Sequence, residues 1–192
     1  MKRASIAAAL AGLLLAISLP GGAAQVAPAG QAPAAPINTA FELTDQRGRP
    51  FASTQLQGRF TLLTFGFTHC SSTCPVSMQV AREVVARLGA QAPQVVLVTL
   101  DPLSDDPQRL AQYLRQFDAR FVGLTGTPQL IERVAAQFRV GLRGAGTALA
   151  HSAMWYLIGP GGEVQRVYPF STSPAQLVDE LQRLNRTEVA AR

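Results

Sequence analysis

The chain has 192 residues, of which 47% are hydrophobic and 15% are charged, and its formal net charge is +5. From this length we expect one compact domain with a short appendage and no room for a second domain. Beyond Lys2 every basic residue is an arginine, and the arginines are scattered along the chain. The charge therefore does not indicate a nucleic-acid interface.

The appendage is the N-terminus. Two basic residues precede an apolar run at 6–19, and small residues follow up to Ala24, which is the layout of a secretory signal. The run is shorter than the roughly 20 residues that span a bilayer. We therefore expect residues 1–24 to be either a cleaved signal peptide or a retained N-terminal membrane anchor. Residues 25–36 have no periodicity and are expected to form a disordered Ala/Pro-rich linker.

From residue 37 onward, apolar residues alternate between strand and helix spacing. Strand 59–67, helix 75–88 and strand 94–100 make a β-α-β unit with parallel strands and a right-handed crossover. The element order predicts one thioredoxin-like α/β domain over 37–192, with a central mixed sheet flanked by helices and an N-terminal hairpin. The other predicted strands are 41–45, 49–52, 121–124, 154–158 and 163–168, and the other predicted helices are 107–117, 128–138 and 174–184.

Cys70 and Cys74 are the only two cysteines, and they lie between the first core strand and its helix. A disulfide between them would close a five-residue loop and contribute only about 2 kcal/mol, so a purely structural disulfide explains them poorly. Pro75 is typical of a first helical position, which predicts Cys74 as the N-cap. We expect the positive end of the helix to lower the thiol pKa values and favour thiolates, which attack disulfides or bind metals.

Five motifs occur in order along residues 41–184, and together they resemble the Sco/SenC family of copper proteins in cytochrome c oxidase assembly. By this resemblance Cys70, Cys74 and His151 would be the copper ligands. The motifs are Gly66-Phe67-Thr68-His69-Cys70, Cys74-Pro75, Thr99-Leu100-Asp101-Pro102 with Asp105, Gly123-Leu124-Thr125-Gly126, and His151-Ser152 ahead of strand 154–158.

The resemblance also implies a role, partners and a location. The protein would hold one copper ion and deliver it to the dinuclear copper centre of cytochrome c oxidase. Its other partners would be periplasmic copper chaperones or thiol reductases. Together with the signal-like N-terminus, the resemblance implies an exported protein of the bacterial periplasm, either soluble or tethered to the inner membrane.

The chemistry of the same residues favours copper. Two thiolates and an imidazole are soft donors that suit Cu(I) and tolerate Cu(II), whereas calcium and magnesium prefer oxygen ligands. Zinc is the closest alternative, but a structural zinc site takes four protein ligands. The remaining candidate ligand is His69, which lies next to Cys70 on an extended segment and is expected to point elsewhere.

Two aspartates are candidates for supporting the histidine ligand. The family usually has an aspartate before the copper histidine, and this chain has Ala150 there. Asp101 can supply the second shell of the metal site instead, although turn chemistry explains it equally well. For Asp105 we favour turn and helix-start chemistry, with Asp106-Pro107 as the N-cap and first residue of the next helix. Met78, Met154, Trp155 and Tyr156 are interpreted as packing residues.

Two functions follow from these observations. The first is a copper metallochaperone. The second is a thiol:disulfide oxidoreductase, with Cys70 and Cys74 as its redox pair, that reduces the cysteines of the recipient. Thioredoxin-type reductases have two residues between their cysteines and a proline before the facing strand. This chain has three intervening residues and no proline in 150–153, so copper delivery is favoured.

Overall fold

The fold was analysed in a computed structural model that describes residues 30–70, 73–143, 150–151 and 154–190. Two short 3-10 helices, Ser53–Leu56 and Gly89–Gln91, accompany the main elements. The strands and helices, in chain order, are β1 (Glu42–Asp45), β2 (Pro50–Ala52), β3 (Thr61–Gly66), α1 (Thr73–Leu88), β4 (Gln94–Thr99), α2 (Pro107–Leu114), β5 (Val122–Thr125), α3 (Pro128–Gln137), β6 (Leu142–Arg143), β7 (Ala150–His151), β8 (Met154–Ile158), β9 (Val164–Pro169) and α4 (Pro174–Ala190).

Seven strands form one mixed sheet in the order β2-β1-β5-β4-β3-β8-β9. The three central strands β3, β4 and β5 are parallel, whereas β8 runs antiparallel to β3 and β1 runs antiparallel to β5. Every residue of β3 and β4 is buried, because a parallel sheet is covered on both faces. The predicted mixed α/β sheet with its N-terminal hairpin is confirmed.

Alternate residues of the central strands pack into two separate hydrophobic layers. Leu62 faces a layer built with α1, α2 and α4, and its neighbour Leu63 faces the opposite layer, built with α3 and the N-terminal hairpin. Met78 and Trp155 are fully buried in the first layer, and Tyr156 is buried in the second. The packing interpretation of these three side chains is confirmed.

Some segments differ from the sequence prediction. Helix α1 begins at Thr73, so Cys74 lies inside its first turn and is not the N-cap. Helix α4 continues to Ala190, six residues beyond the predicted end. Gln31 pairs with Val167 of β9 through two backbone hydrogen bonds of 3.0 and 2.8 Å, where a disordered linker was expected.

Residues 1–29 lie outside the described part of the chain, and with them the predicted signal or anchor and the first part of the linker. Within the described residues, no helix combines the length and apolar character needed to cross a bilayer.

Candidate metal centre

The cysteine pair lies where β3 ends and α1 begins. The backbone N–H of Cys70 donates to the carbonyl of Phe67 at 3.3 Å, which turns the chain after the strand. The backbone N–H of Cys74 then donates to the sulfur of Cys70 at 3.4 Å. The first N–H groups of a helix have no partner within the helix, and the Cys70 sulfur accepts from one of them. The geometry therefore holds Cys70 over the first turn of α1.

The two cysteines are not joined by a disulfide, and they differ in exposure. Cys70 is partly exposed, whereas Cys74 is only 4% exposed. Burial raises the pKa of the Cys74 thiol from 9.0 to about 12. The backbone N–H of Phe67 opposes this rise, while the Cys70 side chain and the charge of Asp105 add to it. The expected lowering of the pKa is therefore wrong for Cys74, because loss of hydration outweighs the helix terminus.

The carboxyl group of Asp105 is fully buried beside this site. It accepts hydrogen bonds from the backbone N–H of Thr68 at 2.9 Å, from the hydroxyl of Thr68 at 2.6 Å and from the hydroxyl of Thr99 at 2.7 Å. The helix start is capped instead by Asp106, which accepts from the backbone N–H of Arg109 at 2.7 Å. The helix-start interpretation of Asp105 is therefore wrong, and that of Asp106 is confirmed.

His69 is turned towards Asp101. Its Nε2 atom lies 3.6 Å from a carboxylate oxygen of Asp101, and its ring lies 4.6 Å from the ring of Phe67 between centroids, tilted by 40°. The other carboxylate oxygen of Asp101 accepts from the backbone N–H of Ser104 at 3.4 Å, as the turn interpretation expects. The predicted support of His151 by Asp101 stays a prediction.

The structure describes the backbone of His151, and its side chain lies outside the described part. The residue belongs to β7, where it is paired with Leu142 of β6. Ser152 and most of the loop ahead of His151, residues 144–149, lie outside the described residues. Among the side chains that are described, no three His, Cys, Asp or Glu residues come together as a metal site. The ligand set of Cys70, Cys74 and His151 therefore stays a prediction.

Tyr113 of α2 is a site neighbour that the sequence analysis missed. Its hydroxyl is buried and has no hydrogen-bond partner within the described part of the chain. Burial raises the pKa of this hydroxyl, and Cys74, Cys70 and Asp105 raise it further by charge repulsion. The available signal was a tyrosine in the otherwise aliphatic buried stripe of α2, beside Leu110 and Leu114.

The fold and the cysteine pair define a thioredoxin-like protein with two thiols, not joined by a disulfide, at the carboxyl end of a central strand. The chain belongs to the SCO1/SenC family, whose model matches residues 29–186. The family expected from the motifs is therefore confirmed.

Individual relatives agree with this assignment. A SCO2-like protein of Rickettsia conorii is 35% identical over 150 residues, which cover 73% of each chain. The structure of Bradyrhizobium japonicum ScoI with copper bound is similar with a TM-score of 0.69 and 31% identity, covering 75% of this chain and 96% of that one. BsSco, a member of the Sco family of cytochrome c oxidase assembly proteins, has a TM-score of 0.68 at 23% identity, covering 80% and 95%, and supports the fold alone.

Proposed function

We propose that this protein is a copper metallochaperone. It binds one copper ion through Cys70, Cys74 and His151 and delivers it to the dinuclear copper centre of cytochrome c oxidase during assembly. The observation that carries the proposal is that two thiols are held close together at the start of α1, with the sulfur of Cys70 3.4 Å from the backbone nitrogen of Cys74. A relative with 31% identity, ScoI, has been solved with copper bound.

The donor chemistry of the site supports copper as the cargo. The carboxylate of Asp105 is engaged by two threonines, and that of Asp101 lies against His69. Among the side chains described around the site, the two sulfurs are therefore the soft donors, and sulfur selects soft ions such as Cu(I). A metal binds the thiolate form, so copper has to displace the proton that the buried Cys74 thiol retains at neutral pH.

The exposure of the site supports transfer to another protein. Cys70 is partly exposed, so the ligand of a recipient can approach copper from its side while Cys74 still holds the ion. Two of the exposed large hydrophobic side chains flank this edge: Val76, 54% exposed, follows Cys74 by two residues, and Leu103, 85% exposed, follows Asp101 by two. We place the protein outside the cytoplasm, in the bacterial periplasm, where thiol reductases and other copper chaperones would be its further partners.

The alternative is a thiol:disulfide oxidoreductase in which Cys70 and Cys74 form the redox pair. Their proximity would allow a disulfide. The burial of Cys74 argues against it, because Cys70 is the thiol that a substrate can reach, and a Cys74 thiol whose pKa is raised to about 12 forms little thiolate to resolve the mixed disulfide. Copper binding overcomes this barrier through the metal–sulfur bond, so the structure favours the metallochaperone.

An anaerobic Cu(I) titration of the reduced protein, with the Cu(II) absorption spectrum recorded alongside, tests the proposal. His151→Ala is compared with His69→Ala, since these are the two histidines of the chain. We expect one copper per wild-type protein and a sulfur-to-Cu(II) charge-transfer band. His151→Ala should lose this band, and His69→Ala should keep it. No binding by the wild type, with ready cycling of a Cys70–Cys74 disulfide, would move the function to thiol reduction.

A further inference from the structure

The buried carboxylate of Asp105 is connected to the cysteine loop by a chain of hydrogen bonds whose direction can be assigned. The hydroxyl of Thr68 accepts from Nε of Arg109 at 2.7 Å, and the hydroxyl of Thr99 accepts from the backbone N–H of Asp101 at 3.0 Å. Each hydroxyl therefore has its own proton free to donate to Asp105, at 2.6 and 2.7 Å. With the backbone N–H of Thr68 at 2.9 Å, Asp105 accepts at both oxygens, as an ionised carboxylate does.

These contacts tie together the ends of two parallel strands. Thr68 follows β3 and lies two residues before Cys70, while Thr99 is the last residue of β4. Asp105 itself is anchored, because its backbone N–H donates to the carbonyl of Asp101 at 2.9 Å. Arg109 contacts the same carboxylate from the solvent side. Its side chain is 53% exposed, and its Nε lies 3.8 Å from a carboxylate oxygen of Asp105.

A buried charge is retained at such a position only with full hydrogen bonding, which Asp105 has. Two threonine hydroxyls and one backbone N–H therefore donate hydrogen bonds to a single carboxylate next to the loop that carries Cys70. The same charge acts on the site, since it contributes to the raised pKa of Cys74.

We propose that Asp105 is a positioning residue of the copper site: through Thr68 it holds the segment that carries Cys70, and it places a fixed negative charge beside the two sulfurs. The effect of the charge on copper rests on the proposed copper function, whereas the positioning of the Cys70 segment is independent of it.

The negative charge of Asp105 should favour one oxidation state of the bound copper over the other. Cu(I) with two thiolates carries a net charge of −1, whereas Cu(II) with two thiolates is neutral, counting the imidazole as neutral. A fixed anion nearby disfavours the more negative complex. Asp105 therefore favours Cu(II) relative to Cu(I), and lowers the reduction potential of the bound copper.

The first arm of the test needs no copper. Amide hydrogen exchange at Thr68, His69 and Cys70 is measured by NMR in the wild type, Asp105→Asn, Thr68→Val and Thr68→Ser. Loss of a hydrogen bond to a charged group should speed exchange at least about tenfold in Asp105→Asn and Thr68→Val. Thr68→Ser keeps the hydroxyl and should exchange as the wild type does. Unchanged exchange in both disruptive variants would overturn the positioning role.

The second arm measures the ratio of Cu(II) to Cu(I) affinity in the same variants, by competition. Asp105→Asn should lower this ratio about tenfold, whereas Thr68→Val, which keeps the charge, should lose affinity for both ions and keep the ratio. An equal change of the ratio in both variants would show that distortion of the loop acts on copper and that the charge of Asp105 does not. That result would overturn the proposed effect of the Asp105 charge. A wild type that binds no copper would refute the proposed function and leave the exchange result to decide the positioning role.

Discussion

Gly66 leaves the space that the sulfur of Cys74 occupies. A Cβ atom built on Gly66, the last residue of β3, would lie 2.8 Å from the Cys74 sulfur, closer than real side-chain contacts allow. The sulfur is enclosed on its other side by the core, because Cys74 is only 4% exposed. The close approach of strand to helix at this point therefore requires glycine.

Replacing Gly66 by alanine should displace the Cys74 sulfur. We expect Gly66→Ala to lower the free energy of unfolding by about 1–3 kcal/mol, as overpacking does, and to weaken Cu(I) binding strongly. Urea unfolding and Cu(I) competition measure the two effects.

Gly123→Ala is the matched control. Its Cβ would lie 2.9 Å from Cδ1 of Leu114, so it creates a similar clash on another strand, away from the cysteines. We expect a comparable loss of stability with copper binding unchanged. If Gly66→Ala binds copper as tightly as Gly123→Ala does, the space beside Cys74 does not control the sulfur.

The buried thiol of Cys74 should make the metal-free protein less stable in alkali. Its pKa is raised from 9.0 to about 12 by burial, so above pH 9 the unfolded chain releases a proton that the folded protein keeps. The stabilisation is complete below pH 9 and falls as the pH rises towards 12. Between about pH 8 and about pH 9.5 the free energy of unfolding should fall by roughly 1 kcal/mol more in the wild type than in Cys74→Ser. Urea unfolding of the two reduced proteins at both pH values checks this.

The difference in slope between the two proteins reports the Cys74 thiol together with its interaction with Cys70. The three tyrosines Tyr113, Tyr156 and Tyr168, whose pKa values burial also raises, are present in both proteins and therefore contribute to both slopes. Equal slopes in the wild type and Cys74→Ser would show that the thiol is not held in its neutral form.

Copper loading should release the same proton. The Cys74 thiol is neutral at pH 7 and has to bind as thiolate, so calorimetry in buffers of different ionisation enthalpy should detect at least about one proton released per Cu(I). Cys70→Ser retains Cys74 and should still release a proton for whatever copper it binds, whereas a release of no proton by the wild type would contradict the neutral thiol.

The central fold was accessible from the sequence because the strands are buried on both faces. Residues 95–98 are a run of Val and Leu within a segment of strand length, and all of β4 is buried as that pattern predicts. The first residue of α1 was harder to predict from the sequence. Pro75 marks a first turn, but proline also fits the third helical position, where its missing N–H would have had no partner, and α1 begins at Thr73.

The pKa values at the site depend on how deeply each side chain is buried, and burial of a single side chain cannot be read from the sequence. The helix terminus near Cys74 was predicted correctly, and its effect on the thiol pKa was predicted with the wrong sign because the sulfur lies under Gly66 in the core. Asp105 shows the same limit: its spacing fits a helix start, and only the three-dimensional fold brings Thr68 to it across 37 residues of chain. The pairing of Gln31 with Val167 is also long-range and has no local signal.

Removing the buried hydroxyl of Tyr113 should affect stability differently from removing that of Tyr156. In the metal-free protein this buried hydroxyl has no hydrogen-bond partner among the described residues, so Tyr113→Phe should leave stability unchanged or raise it by about 1 kcal/mol. Tyr156→Phe removes a buried hydroxyl that donates to the carbonyl of Phe138 at 2.9 Å, and should destabilise the protein by about 1 kcal/mol. Urea unfolding of both variants measures the contrast. A loss of stability in Tyr113→Phe as large as in Tyr156→Phe would mean that the hydroxyl is already bonded.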